Sequence, residues 1–288
     1  MSDQKTKIEF ENETEIPEGA YLWRYLDLHK FLSFVLGKSL FFSRLDKFED
    51  KLEGISLIHL FYKNLKSEMD NHAAFDDLRQ MFSINNLSGK MEKIDKELSK
   101  TQEFNFANCW VISKSHSESV AMWNLYSQPN SVAIKIKYND FKSLLQKNGL
   151  KPTTTNRESN IICSPIRYID FQSSNQEQQK IKEIRDSVFF KDISFKHEAE
   201  FRIIIREQPY EKPPIKYRPP VPKKVIKYKY NEKVNYPGIN MELINFDDYP
   251  FEVIHHPKSQ DWAKENVAKI LGLSNLNLKL KDSNLELK

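Results

Sequence analysis

The sequence predicts an α+β protein built on mainly antiparallel sheets with an inserted helical lobe. Three observations carry that prediction. Short β-prone runs such as FANCWVIS and SVAIKIKY recur along the chain, helical periodicity appears between them without strict βαβ alternation, and residues 55–102 hold no strand-like run. At 288 residues, a single elaborated domain over 20–274 is expected, flanked by tails at 1–19 and 275–288.

YLWRYL alternates like a strand, and Leu28, Phe31, Leu32, Val35 and Leu36 then recur at the i, i+3, i+4, i+7, i+8 spacing of a helix. Gly37 is placed to end that helix in a left-handed cap before a second strand, SLFFS. Residues 55–102 are rich in Lys, Glu, Asp and Leu and are broken near Asn85, Asn86, Ser88 and Gly89, which predicts two or three helices. Residues 106–113 read as a strand. Ser115 and Glu118 then have capping-box spacing and start a helix through Trp123 and Tyr126. In SVAIKIKY, Val132, Ile134 and Ile136 are expected to face a core while Lys135 and Lys137 face water.

A short helix is expected over 140–147, a strand in IICSPIRYI, a helix over 176–190, and a strand over 198–206 whose Ala199, Phe201, Ile203 and Ile205 share an apolar face. The proline-rich segment 211–231 cannot be a central strand, because proline lacks the ladder donor, so it is expected as an extended arm. NMELINF and FEVIHH resume strand character. A last helix, from Ser259 to Gly272, places Ala263, Val267, Ile270 and Leu271 on one face.

Composition bounds the function. Hydrophobic residues make up 39% of the chain and aromatics 12%, enough apolar surface to offset chain entropy. No run of about 18 apolar residues occurs and the first 20 residues carry no secretory pattern, so neither membrane contact nor secretion is expected. Cys109 and Cys163 sit in apolar contexts and read as buried thiols, which fits a cytoplasmic location. The seven histidines lack metal-ligand spacing, and adjacent His255 and His256 point to opposite faces of a strand, so no metal is expected. Seven glycines leave no phosphate-cradling loop, which excludes P-loop and Rossmann readings. The net charge of +4 identifies nothing by itself, but residues 212–230 hold seven Lys or Arg, three Tyr and no acid. Lys216, Arg218, Lys223, Lys224 and Lys227 suit a nucleic-acid backbone, with a solvated surface loop as the alternative.

Four spaced pieces together resemble a widespread bacterial family called domain of unknown function 2971, over roughly residues 20–272. They are Trp23-Arg24-Tyr25 with FFSRLDKFEDKLEG, then CWVISKSHSESVAMWNLYSQPNSVAIKI, then PIRYIDF, then the run from Phe190 through HEAEFRIII. Two places depart from the family pattern: Phe-Asn-Asp-Pro becomes Phe48-Glu49-Asp50-Lys51, and Cys-Phe-Ser becomes Cys109-Trp110 with Ser113 three residues on. Members are often noticed near phage-defence genes, so the resemblance implies a defence or toxin effector.

Read as strand residues, Glu198, Glu200 and Arg202 project to one side, bringing two carboxylates and a compensating cation together. An Arg on the first strand, a Ser or Tyr on a middle strand and Glu-x-Glu on a later strand are similar to the ADP-ribosyltransferase superfamily. That resemblance implies a split antiparallel sheet and NAD as substrate. It implies Arg24 on the NAD phosphate or ribose, Ser43 or Ser113 supporting the nicotinamide pocket, Glu200 on the nicotinamide ribose, and Glu198 orienting the acceptor. Tyr25 and Arg202 flank this set as further NAD-binding candidates. Trp123 and Tyr126, three apart on a helix, either stack on a base or nicotinamide ring or pack in the core. Phe48, Asp50 and Glu53 either line the same cleft or cap the next helix.

Three functions follow as expectations. The first is an ADP-ribosyltransferase or NAD glycohydrolase acting on a nucleic-acid or protein acceptor. The second is a nucleic-acid binding or processing module, and the third a non-catalytic interaction protein of a defence system.

Overall fold

The computed structural model describes residues 8–56, 60, 63–64, 87–114, 117–152, 159–172, 187–207, 236–276 and 278–287. The basic arm with Lys216, Arg218, Lys223, Lys224 and Lys227 lies outside the described residues, as do Ser115, most of residues 57–86 of the helical lobe expected over 55–102, and residues 176–186 of the helix expected over 176–190, whose described end is a 3₁₀ turn over 187–189 running into a strand at Phe190.

The strands are β1 Ile8–Phe10, β2 Tyr21–Leu26, β3 Ser39–Arg44, β4 Asn105–Ser113, β5 Val132–Lys137, β6 Leu150–Pro152, β7 Ser159–Pro165, β8 Arg167–Ile169, β9 Phe190–Asp192, β10 Glu200–Glu207, β11 Gly238–Leu243, β12 Glu252–His255 and β13 Lys279–Lys281. The helices are α1 Leu28–Gly37, α2 Leu87–Phe104, α3 Val120–Tyr126, α4 Tyr138–Asn148 and α5 Asp261–Leu273. Eleven strands join one sheet in the order β1-β7-β10-β4-β2-β5-β12-β13, with β3, β11 and β6 branching from β4, while β8 and β9 form a separate parallel pair. Apart from β1 with β7 and β12 with β13, every pairing in the large sheet is antiparallel. The chain is therefore α+β with a mostly antiparallel open sheet, as its pattern of elements predicts.

Alternation sorts the strand residues onto two faces. Leu22, Leu26, Phe201, Ile203, Ile205 and Trp110 join Phe31 and Phe34 of α1, Phe141 and Leu145 of α4, and Val267 and Leu271 of α5 in the main core. Tyr21, Trp23 and Tyr25 face the other way and pack with Met122 and Trp123 of α3.

Several local expectations are corrected. Gly37 is still helical, and Lys38 takes the left-handed cap at φ 45°, ψ 39°. A Cβ at Gly37 would lie 2.8 Å from Ser39 Oγ, so a larger residue there requires the Ser39 hydroxyl to turn aside. Ser88 and Gly89 fall in the first turn of α2, which runs into β4 without a loop. The α3 N-cap is Ser119, whose Oγ accepts from Met122 N at 3.3 Å. Glu118 instead accepts from Trp123 Nε1 at 2.9 Å.

Lys135 does not face water. Its strand lies between β2 and β12, and its ammonium sits 2.7 Å from Glu252 and over the Tyr21 and Trp23 rings. Described residues on both sides of 20–274 pair with the sheet. Residues 8–10 pair with β7, Glu13 accepts from Tyr138 Oη at 2.8 Å, and residues 279–281 pair with β12. Ser283 Oγ and Asn284 N then donate to Glu118 at 2.6 and 2.8 Å.

Candidate functional site: a cleft through a forked sheet

One edge of β4 is shared by two strands. Val111, Ile112 and Ser113 pair with β2, whereas Phe106 and Ala107 pair with β3. Asn108, Cys109 and Trp110 between them pair with neither, so β2 and β3 diverge and leave a wedge. A cleft of about 700 Å³ occupies it, lined from both faces of the sheet by residues that include Arg24, Phe41, Ser43, Trp110, Tyr126, Lys191, Glu198 and Glu200. That volume falls within the range of small-molecule sites.

Pairing register explains why both faces are needed. Trp23, Val111 and Glu200 form one row across β2, β4 and β10, so their side chains share a face. Arg24, the next residue, points to the opposite face beside α1. Only the gap between β2 and β3 lets Arg24 and Glu200 border the same space.

At the α1 end, Arg24 Nη2 donates to Phe41 O at 3.3 Å, and its guanidinium lies 5.9 Å from the Trp110 ring centre. Among the described residues it has no carboxylate partner. Desolvation lowers its pKa to about 10, so it remains a cation at neutral pH with donors left over. The Phe41 carbonyl also accepts from Asn108 Nδ2 at 2.8 Å, and Asn108 Oδ1 accepts from Trp110 Nε1 at 2.6 Å. This chain of bonds fixes the floor of the wedge. Phe41 itself lies across Gly238, where a Cβ would come within 2.3 Å of its ring.

At the other end lies a buried ionic cluster. Arg202 is fully buried and spends all five N–H donors: on both oxygens of Glu200 at 2.6 and 3.1 Å, on both oxygens of Glu53, and on Val188 O at 2.9 Å. Lys191 Nζ donates to Glu198 at 2.7 Å and lies 3.7 Å from Glu200. Tyr126 Oη donates to the second Glu198 oxygen at 2.5 Å. Three carboxylates against two cations leave one net negative charge in a poorly solvated place. Burial pushes the Glu200 carboxyl upward, but the Arg202 and Lys191 charges outweigh it and hold the group below the usual carboxylate range. Burial and the Glu198 carboxylate push the Tyr126 hydroxyl upward, so it stays a donor. Burial also raises the Cys109 thiol, with Glu200 adding to the effect, which leaves no activated nucleophile there.

The cleft gathers Glu200, Glu198, Arg24, Tyr25, Ser43 and Tyr126 from the expected set, along with Phe48, Asp50 and Glu53. Ser113 is not among them. It lies at the far end of β4 opposite Tyr21, whereas Ser43 lines the cleft. Trp123 is fully buried, edge-on to Tyr25 and His256, and cannot stack on a ligand. The Tyr25 hydroxyl is occupied, accepting from Ser119 N at 3.0 Å, so Tyr25 anchors α3 and supplies wall. Arg202 stands behind Glu200 and touches no cleft space.

Glu198 is not a strand residue. It ends a 3₁₀ helix over 193–198, and Ala199 turns left-handed at φ 40° before β10 begins. The two carboxylates converge through this kink and Lys191, not through strand alternation. Lys191, Phe41 and Phe195 were not legible as site residues, because no periodicity marks a buried lysine on a three-residue strand.

Among the described residues, no group of three or more His, Cys, Asp or Glu is arranged to hold a metal ion, and no helix is long and apolar enough to cross a membrane.

Residues 122–203 match the model of the family described as Protein of unknown function (DUF2971). The chain resembles DUF2971. The matched stretch runs from α3 to β10 and so contains Tyr126, Lys191, Glu198, Glu200 and Arg202, the whole anionic end of the cleft except Glu53. Arg24 and Ser43 lie before it. No curated protein and no solved structure matches the chain. The DUF2971 description names no chemistry, so a reaction has to be argued from the cleft.

Proposed function

We propose that the cleft binds NAD and cleaves its nicotinamide glycosidic bond, transferring ADP-ribose to an acceptor or to water. The observation that carries this reading is the polarity of a single cleft: a guanidinium with no carboxylate partner among the described residues at one end, a net negative carboxylate cluster at the other, and aromatic wall between. NAD has matching parts, an anionic pyrophosphate and a cationic nicotinamide ring.

In this reading Arg24 donates to the pyrophosphate, a charge-assisted contact strengthened by its desolvation. The pyridinium end lies near Glu198 and Glu200, with Tyr126 and Phe41 as candidate stacking faces. As the C1′–N bond breaks, its electron pair leaves with neutral nicotinamide and the ribose gains oxocarbenium character. Glu200, kept ionised by Arg202, opposes that charge and accepts from a ribose hydroxyl. The acceptor oxygen or nitrogen, or water, then bonds to C1′ and gives its proton to Glu198. Ser43 borders the same space and is the remaining middle-position candidate.

The test is free nicotinamide released from NAD by the purified protein, with and without RNA, DNA and cell extract. Parent activity that falls at least about 100-fold in Glu200→Gln, in a variant that still folds, supports the reading. No release from the parent under any of these conditions refutes it. The basic composition of 212–230 favours a nucleic acid as acceptor. Reversing the charge at Lys223 and Lys224 then lowers transfer to RNA or DNA and flattens its salt dependence, without lowering NAD hydrolysis.

A further inference from the structure

Lys191 is a cation that neither the sequence pattern nor the reaction scheme above employs, yet it lies within ion-pair distance of both Glu198 and Glu200. It lies on β9, 6% exposed, and its ammonium borders the cleft. Its Nζ is 2.7 Å from Glu198 Oε2, 3.7 Å from Glu200 Oε2 and 4.3 Å from the Phe195 ring centre. The groups around it come from four other elements and a turn. Glu198 ends the 3₁₀ helix, Glu200 and Arg202 lie on β10, Glu53 follows β3, Tyr126 closes α3, and Cys109 lies on β4. Of these, Arg202 is the only other cation, and its donors are all committed to Glu53, Glu200 and Val188. Among the described residues, Lys191 is therefore the one cation paired with Glu198, whose other oxygen accepts from Tyr126 Oη.

We propose that Lys191 is a positioning residue that holds Glu198 in its cleft-facing rotamer and keeps the Glu198 and Glu200 pair doubly ionised, so that the cleft presents two anions to a cationic ligand ring. Neutralising it takes the cluster from one net negative charge to two. A buried pair of like charges relieves itself by taking up a proton, so one carboxylate titrates higher. The protonated site loses both its attraction for a positive ring and its capacity to accept a proton. The ligand class named here rests on the NAD reading, whereas the ionisation of the pair does not.

The experiment therefore reads the carboxylates directly. The protein is labelled with 13C at the glutamate side-chain carboxyl, and the Glu198 and Glu200 signals, assigned through Glu198→Gln and Glu200→Gln, are followed with pH in the absence of ligand. In Lys191→Met one of the two midpoints rises by roughly one to three pH units, while Lys191→Arg, which keeps the charge, stays near the parent. Nicotinamide release, where the parent shows it, has its acid limb displaced by the same amount in Lys191→Met and restored in Lys191→Arg. A purely structural lysine lowers thermal stability without moving either midpoint, and a folded Lys191→Met that titrates like the parent overturns the proposal. If Lys191→Met does not fold, the parent decides: Glu200 titrating below the ordinary glutamate range is the expected result, and Glu200 at or above it overturns the proposal. A parent that releases no nicotinamide retires the NAD reading and leaves this titration intact as the test of Lys191.

Discussion

Replacing Arg202 with methionine removes the hub of the buried cluster while nearly preserving side-chain volume. Arg202 is 0% exposed and donates five hydrogen bonds, four of them to Glu53 and Glu200. Its loss leaves two carboxylates buried against each other, with Lys191 the one cation near them among the described residues. Breaking a buried ion pair by removing one partner costs about 3–5 kcal/mol. At roughly 2–4 °C per kcal/mol for a domain of this size class, the melting temperature at pH 7 falls by about 6–20 °C.

The pH dependence sharpens the test. In the parent, Glu200 titrates below its unfolded value, so its stabilising contribution is present above about pH 4.3 and is lost as pH falls through the lowered folded value. In Arg202→Met, burial without the guanidinium pushes a carboxyl above its unfolded value. Its contribution is then present below about pH 4.3 and is lost as pH rises through the raised value. The gap between parent and variant is therefore widest at neutral pH and narrows toward pH 5. Differential scanning calorimetry of both proteins from pH 7 to pH 5 measures it. A gap under about 2 °C at pH 7, or one that does not change with pH, refutes the account of Arg202 as the group that holds these carboxylates ionised.

Three further outcomes are expected. Arg24→Met weakens NAD binding by calorimetry about tenfold or more, the worth of one charge-assisted contact, yet leaves thermal stability within about 0.5 kcal/mol because the guanidinium has no carboxylate to lose. Glu118→Ala, which deletes the acceptor for Trp123 Nε1, Ser283 Oγ and Asn284 N, destabilises the protein by about 1–3 kcal/mol, and hydrogen exchange quickens at residues 279–285 before it does in β12. Cys109, its thiol raised by burial and by Glu200, reacts with iodoacetamide at pH 8 at least about tenfold more slowly than a free thiol, and the rate recovers in urea as the cluster opens.

The sequence by itself determined the elements whose patterns are local. Alternation in YLWRYL and SVAIKIKY, and the 3.6-residue period of α1 and α5, each specify a strand or helix with a defined apolar side, and these stand within a residue or two of expectation. It also brought Glu200 and Arg202 onto one face, since two residues apart on a strand always share one. What tertiary structure decided was everything that depends on which strand lies beside which. Lys135 is alternation-compatible with water and becomes buried because β12 and β2 flank its strand. Lys38, not Gly37, takes the left-handed cap that closes α1. Glu198 reaches the site through the Ala199 kink, Lys191 through a short strand with no period to read, and Ser43 rather than Ser113 through the half of β4 that pairs with β3. Arg24 and Glu200 occupy opposite faces of the sheet and border one cleft only because β2 and β3 part company along β4. That fork is a property of long-range pairing register, which no window of sequence encodes on its own.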